Sequence, residues 1–478
     1  MPFEFINNRD LDNATRKRIR SHAALGKNKG KKISRLSRKD TLTTATKAFR
    51  VPLIFQDISR TKRKVEEIER PLDDGSFFPG LQPGEPKSLV KKVISFMSSM
   101  AFSPELDHGL DYGGLGPPMC VQSMFVDEAC FHSTMATALL CIDNLVSKPE
   151  GKVHAMRHAS QTFRLVKQKL YGQSAATDLT IAAVVSMAQY ECHQNRYQQG
   201  SVHVHGLWHI AQLRGGVSNL VTSRTGLEQK MLRVDLEYSL QLGSPTMFRL
   251  EDAEMGCKIV TPFPSAFLQP LNEVHPLVLG QYPHLPLSGY CRDLFVDVLF
   301  LASLLNNAIA GAAPRMNAIE LHQDIILLGY RLVKLKPLGL LLGTSSLQNK
   351  VHLGLASFLV TFLLRWDGQI GQNDLLSQLL LAEVQETPSA GQDGHETLLW
   401  LLFIGAASSG LWKHPAWVSI TKHTLQSLEV KSWEGVKKIL AAFPWVNAIH
   451  DTAGQALWYG SKVVHPGCTG TSETLAVE

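Results

Sequence analysis

Three histidines, His203, His205 and His209, with His193 upstream, are the densest set of metal-capable side chains in the chain. His205 and His209 stand four residues apart, so a helix would place them on one face. Zinc requires four converging nitrogen, oxygen or sulfur ligands, and no carboxylate or thiolate lies at ligand spacing beside them. A metalloprotease helix reads His-Glu-x-x-His, whereas Gly206 follows His205 and the general base is missing. The three are read as surface or part-buried histidines, and no metal or other cofactor is assigned. The remaining catalytic signatures are absent as well. No Gly-x-Ser-x-Gly turn presents a nucleophile, no Gly-x-x-x-x-Gly-Lys-Ser/Thr loop cradles phosphate, and no Gly-x-Gly-x-x-Gly follows a strand. No catalytic residue is assigned, and the chain is read as a non-enzyme.

A different chemistry is written into the N-terminal 70 residues. They hold nineteen Lys and Arg against eight Asp and Glu, a net charge of +11, while the other 408 residues hold 29 against 34, or −5. Arg16, Lys17, Arg18 and Arg20 form one cluster; Lys27, Lys29, Lys31 and Lys32 form a second, broken by Gly26 and Gly30. So polar a segment cannot bury its own surface, so residues 1–86 are read as a basic, largely disordered arm and linker. Clustered cations release counterions from a phosphate backbone and fit an acidic import groove, which makes these eight residues candidates for nuclear import or weak, non-specific DNA contact. The plainer reading is a solvated tail.

What must position any site is a large helical body. At 478 residues with 44% hydrophobic content, the chain has ample material for a sizeable core. Apolar residues at three and four spacing begin with Leu89, Val93, Phe96, Met97 and Met100. Further helices are expected at 125–146, with Pro149 and Gly151 ending the run, at 152–171, and at 178–196 with Asp178 as N-cap. Another follows Gly200 and stops at Gly215-Gly216, and one spans 226–243. A proline-rich connection, 262–286, leads to helices near 291–311, 317–335, 348–367 and 374–386. Residues 388–396 read as a loop before helices at 397–409, 417–428 and 432–442, and residues 467–478 as a disordered tail. Strand signals are sparse, and no fixed-period repeat marks a solenoid. The fold class expected is therefore mainly α: one large irregular multi-helix domain over 87–466.

The aromatic series Trp400, Phe403, Trp412, Trp417 and Trp433 is expected in the core rather than around a cofactor. Leu332, Leu335, Leu338, Leu340, Leu341 and Leu342 are interrupted by Pro337 and Gly339 and are read as a buried helix end rather than a docking motif. Seven cysteines (Cys120, Cys130, Cys141, Cys192, Cys257, Cys291, Cys468) include no Cys-x-x-Cys pair, and with no secretory leader they read as reduced thiols of an intracellular protein. No apolar run reaches the ~18–20 residues of a spanning helix, so no membrane partner is expected.

Several segments, in their order, carry a resemblance. Phe3-Glu4-Phe5-Ile6-Asn7, Arg16-Lys17-Arg18-Ile19-Arg20, Ser21-His22 and Gly26-Lys27-Asn28 open the chain. Asp127-Glu128-Ala129-Cys130-Phe131-His132, His205-Gly206-Leu207, Leu213-Arg214-Gly215-Gly216, and Asp235 with Gly243, Pro245 and Phe248 follow. Leu398-Leu399-Trp400-Leu401-Leu402-Phe403-Ile404-Gly405 and Phe443-Pro444-Trp445 complete the set. Together they resemble the fungus-specific transcription factor domain family, over nearly the whole chain. That resemblance implies a helical regulatory body, often found behind a six-cysteine binuclear zinc cluster. The first cysteine here is Cys120, so the closely spaced thiolates that such a cluster needs are not present and DNA contact would be electrostatic. Within this likeness His205, Gly206 and Leu207 and Arg214, Gly215 and Gly216 are expected to be structural. His205 and Gly206 would let neighbouring helices approach, Gly215-Gly216 would end a helix at positive φ, and Arg214 would bond the exposed carbonyls there. The function implied is a nuclear transcription regulator without its own zinc-cluster reader. Its partners would be a protein of the transcription machinery or another DNA-binding factor, or a small effector. The alternative is a cytoplasmic helical scaffold derived from such a regulator.

Overall fold

A computed structural model of the chain describes residues 78–81, 87–99, 104–113, 118–146, 149–221, 226–257, 287, 289–340, 347–363, 365–366, 369–370, 373–386 and 392–462. Residues 1–77 of the expected arm and linker, the proline-rich connection and the C-terminal tail lie outside these residues; the linker's residues 78–81 are ordered instead, because Phe78 is buried against Phe125 and Phe131. Among the described residues the body is helical, with seventeen α-helices and only four two-residue strands. In chain order the helices are α1 (Lys87–Ser99), α2 (Met119–Met124), α3 (Glu128–Val146), α4 (Pro149–Leu170), α5 (Asp178–Cys192), α6 (Tyr197–Leu213), α7 (Val217–Val221), α8 (Leu227–Leu242) and α9 (Leu250–Gly256). They continue with α10 (Gly289–Ile309), α11 (Ala318–Leu335), α12 (Leu347–Leu363), α13 (Asp374–Glu386), α14 (Gln392–Ser409), α15 (Pro415–Ser427), α16 (Trp433–Leu440) and α17 (Asn447–Ser461). The mainly α expectation holds.

Polar caps set several of the starts. Thr177, not Asp178, caps α5, its hydroxyl accepting the Thr180 N–H at 3.3 Å. Asp178 falls instead in the first turn, where a carboxylate complements the helix dipole. Asn317 accepts from the N–H groups of Ile319 and Glu320 to open α11, and Asp127 from that of Cys130 at 3.0 Å to open α3. Pro149 begins α4 instead of ending the run before it, since proline lacks only a donor that the first turn leaves unpaired anyway. Gly226 and Gly243 bracket α8 with φ of 66° and 68°. Three short helices, α2, α7 and α9, and the longer α17 have no counterpart among the expected elements, and α14 begins inside the expected loop.

The strands do little more than pin connections. Leu110 and Asp111 (β1) pair in parallel with Met316 and Asn317 (β2), fastening the segment after α1 to the start of α11; Arg365–Trp366 (β3) and Gln369–Ile370 (β4) form a short antiparallel pair. In the N-terminal part, α3 packs along α4 and α5, and a smaller apolar cluster forms around Val90, Phe131, Met135 and Leu139. The main core runs from α5 through α17, with α8 contacting α5, α6, α9 and α11 and with α12 lying along α14. Trp400, Phe403 and Trp417 are fully buried there as expected, while Trp412 and Trp433 pack at its margin. α11 ends at Leu335, and of the leucines after it Leu338 is buried in a 3-10 turn and Leu340 is exposed.

Candidate functional site

In the family-like segment of α6 and the turn after it, the contacts differ from expectation at two residues, Gly206 and Arg214. Leu207 is buried, as its role requires. Gly206 is not a point of close approach: a Cβ there would meet nothing within 4 Å. The contact that needs a glycine comes six residues earlier, at Gly200, against which the Tyr238 hydroxyl and the Glu191 Cβ press. Tyr238 spends that hydroxyl on the Ala188 carbonyl at 2.7 Å, joining α8 to α5 beneath α6. Gly215 and Gly216 do end α6 at positive φ, 87° and 96°, and their N–H groups go back to Gln212 and Ala211. With those carbonyls satisfied, Arg214 is released from the capping role expected of it, and its guanidinium pairs with Asp178 at the start of α5.

The histidines are separately engaged. His205 Nδ1 lies 2.8 Å from the Ser201 carbonyl, the His203 ring packs on Phe163 of α4, and His209 lies against Trp208. Among the described residues no group of three or more His, Cys, Asp or Glu is arranged to hold a metal ion.

Several buried acids and bases are tied to backbone or to each other. Asp235 of α8 accepts from the N–H groups of Met247 and Phe248 at 2.9 and 3.0 Å and from the Tyr330 hydroxyl at 2.7 Å. Burial pushes its carboxyl up to about 6 in spite of these three donors. The turn carrying Gly243, Pro245 and Phe248 is thereby fastened to α8 and α11, and the Gly339 N–H adds a bond to the Gly243 carbonyl at 2.9 Å. Arg233 reaches Glu237 at 2.6 Å and the Leu363 carbonyl at 2.7 Å, and Arg331 meets the buried Asp297 at 2.7 Å. Burial pushes the thiols of Cys192 and Cys257 up to about 12 and that of Cys291 to about 11, so at neutral pH they are not nucleophiles. In the N-terminal core His132 and His158 face each other with their Nδ1 atoms 2.7 Å apart, so one ring must donate and the other accept. A depression beside them, under Phe163, is lined by Ser133, Ala159, Thr162 and Met187 and holds no more than a water-sized guest.

What stays outward is α4. Its inner side, with Ala155, His158, Ala159, Thr162 and Val166, is buried, yet Val153, Met156, Phe163 and Leu170 are exposed as well. Lys152, Arg157, Arg164 and Lys167 stand among them, and no Asp or Glu lies between 152 and 170. The periodicity of this helix marks it as amphipathic but does not single out this face. The overlooked signal is a second three-and-four stripe, offset from the one that packs. The eight arm residues, Arg16, Lys17, Arg18, Arg20, Lys27, Lys29, Lys31 and Lys32, lie outside the described residues.

No protein-family model matches the chain, nor does any curated protein or any solved structure. The likeness to the fungal transcription factor domain therefore rests on the motifs alone.

Proposed function

We propose that this chain is a nuclear, non-enzymatic transcription regulator that lacks a zinc-cluster DNA reader and acts by binding proteins through its helical body. The observation that carries the reading is the segregation of charge: +11 in the first 70 residues, −5 in the remainder. A cationic arm supplies import and a salt-sensitive hold on phosphate, and the body supplies recognition. The order of the family-like motifs agrees with this division. A small effector is the other form of the reading, and the depression under Phe163 is too small to be its site. Partners would be a component of the transcription machinery or another DNA-binding factor.

The test is the cellular location of the full-length chain beside a form with Arg16, Lys17, Arg18, Arg20, Lys27, Lys29, Lys31 and Lys32 changed to Ala. Nuclear signal that the eightfold variant loses is the expected result. Equal cytosolic distribution of both forms would favour the second reading, a cytoplasmic scaffold, which the outward face of α4 also suits because that face needs no DNA to act. In vitro, a gel shift of duplex DNA should weaken steeply with salt and vanish on deletion of residues 1–40.

A further inference from the structure

From Val153 to Leu170 one stripe of exposed residues on α4 advances by three, four, three, four and three: Val153, Met156, Ser160, Phe163, Lys167 and Leu170. That is the a and d spacing of a coiled-coil seam, about 26 Å long at 1.5 Å per residue. Side chains that face into a fold are normally the ones on such a stripe. Here the inner packing is done chiefly by the other positions, Ala155, His158, Ala159, Thr162 and Val166, and of the seam only Phe163 turns partly inward, over the depression between α3 and α5 and onto His203 of α6. Val153 is 52% exposed, Met156 59%, Phe163 38% and Leu170 47%, so apolar area along a full seam is left in water on a helix already held in shape by its other side. Arg157 and Arg164 follow the d residues Met156 and Phe163 directly, at the e positions, where charge selects a partner. Among the described residues neither forms an ion pair, and Arg164 holds only the neighbouring Gln161, at 3.0 Å.

We infer that this face of α4 is a docking site for a single amphipathic helix of a partner protein, with aliphatic residues along its seam and Glu or Asp beside it. The inference deepens the protein-binding reading above and rests on it. Charge decides the occupant. A second copy of α4 laid antiparallel would set arginine against arginine at e, and laid parallel would meet Lys152 or the buried Ala159 and Val166 at g, so self-pairing supplies no counter-charge. A nucleic acid would accept the cations but not the apolar residues; an anionic bilayer would accept both, but it needs a broad, continuous apolar face, and Ser160 and Lys167 interrupt this narrow one. A helix with acidic flanks satisfies both the seam and the arginines.

The experiment uses the full-length chain and a fluorescent three-heptad peptide with Leu at a and d and Glu at e and g. Anisotropy should show saturable binding that falls about tenfold in Arg157→Glu/Arg164→Glu and by a similar factor in Met156→Ser/Leu170→Ser. All four side chains are exposed, so an unchanged melting temperature certifies the variants. A matching peptide with Lys at e and g should bind the charge-reversed protein better than the parent. Equal binding of the Glu peptide to parent and charge-reversed protein would overturn the inference. So would phosphatidylserine vesicles or duplex DNA engaging this face where the peptide does not. Loss of the inference leaves the regulator reading standing if arm-dependent nuclear location persists; peptide binding by a protein that stays cytosolic keeps the docking site and removes the regulator.

Discussion

Gly206 sits mid-way along a 17-residue helix, with open space where a Cβ would stand. Glycine at such a place costs about 0.5–1 kcal/mol relative to alanine, because it has more conformational freedom to lose on folding. Gly206→Ala should therefore raise the free energy of unfolding by about that amount in a urea titration. Gly200→Ala, in the same helix, should lower it, because a methyl group there displaces the Tyr238 hydroxyl from the Ala188 carbonyl and presses on Glu191. If the two substitutions moved stability in the same direction, the assignment of crowded and open sides of α6 would be wrong. The two glycines look alike in the sequence, because what faces a residue from another helix leaves no local mark. Gly215 and Gly216 were legible for the opposite reason: they terminate an apolar period, and a helix C-terminus is a local event.

At the scale of elements, the clearest omission is α17. Its sequence, Asn447–Ser461, carries small and polar residues, a central Gly454, and too few large apolar side chains to announce a helix. Polar contacts to distant parts of the chain hold it instead. Asn306 of α10 donates to the Trp445 carbonyl at 2.7 Å and accepts from the Asn447 N–H at 2.9 Å. Lys437 of α16 and the Trp445 indole N–H both meet Asp451, at 2.8 Å, and Trp400 donates to the Pro444 carbonyl while stacking on Phe443. The Val446 N–H donates to His450 Nδ1, which leaves Nε2 as the protonated nitrogen and so the donor to Thr361 Oγ1 at 3.0 Å. Gly454 is needed because Trp433 and Trp445 close over it, at 2.9 and 3.2 Å from where a Cβ would lie. Asp451→Ala leaves the Trp445 indole N–H without its acceptor and the Lys437 ammonium with Asn447 Oδ1 alone, and should cost about 1–3 kcal/mol in urea denaturation. Replacing Lys437 in that background should then cost less than it does in the parent, since one of its two acceptors is already gone; additive losses would count against the network. The Phe443-Pro444-Trp445 motif was visible in the sequence, but not the helix that it docks. α4 shows the converse limit: its two apolar stripes have the same period, and period alone does not say which of them faces inward.

For the whole molecule the telling property is how the buried titratable groups bias folding with pH. His352 of α12 is 2% exposed and donates to the Lys336 carbonyl, and burial lowers it from the usual 6.5 to about 4. His193 is lowered to about 4 and His322 to about 3, by burial first and then by the neighbouring Arg233. In each case the unfolded chain binds the proton more readily than the folded one, so these residues contribute stability that is complete above pH 6.5 and drains away as pH falls toward 4. Asp235 has the reverse sign. Raised to about 6 from 3.8, it takes up its proton in the folded state first, and its stabilising contribution, complete below pH 3.8, is lost as pH rises through 6. His203 is lowered as well, whereas burial raises Glu191, Glu228 and Glu237 with the sign of Asp235, so acidification from pH 6.5 to 4 is a loss at the buried histidines and a gain at the buried carboxylates. His352 alone accounts for up to about 3 kcal/mol of that loss, the equivalent of its displaced titration. His352→Gln keeps a side-chain donor within reach of Lys336 and removes the titration. Unfolding free energies measured in urea at pH 6.5, 5.5, 4.5 and 4 should therefore decline less in the variant than in the parent, by up to that amount, with the divergence confined to this interval. Parallel curves would mean that His352 is protonated in the fold as readily as in the unfolded chain, and that the packing of α12 against the residues after α11 opens to water well before the core does.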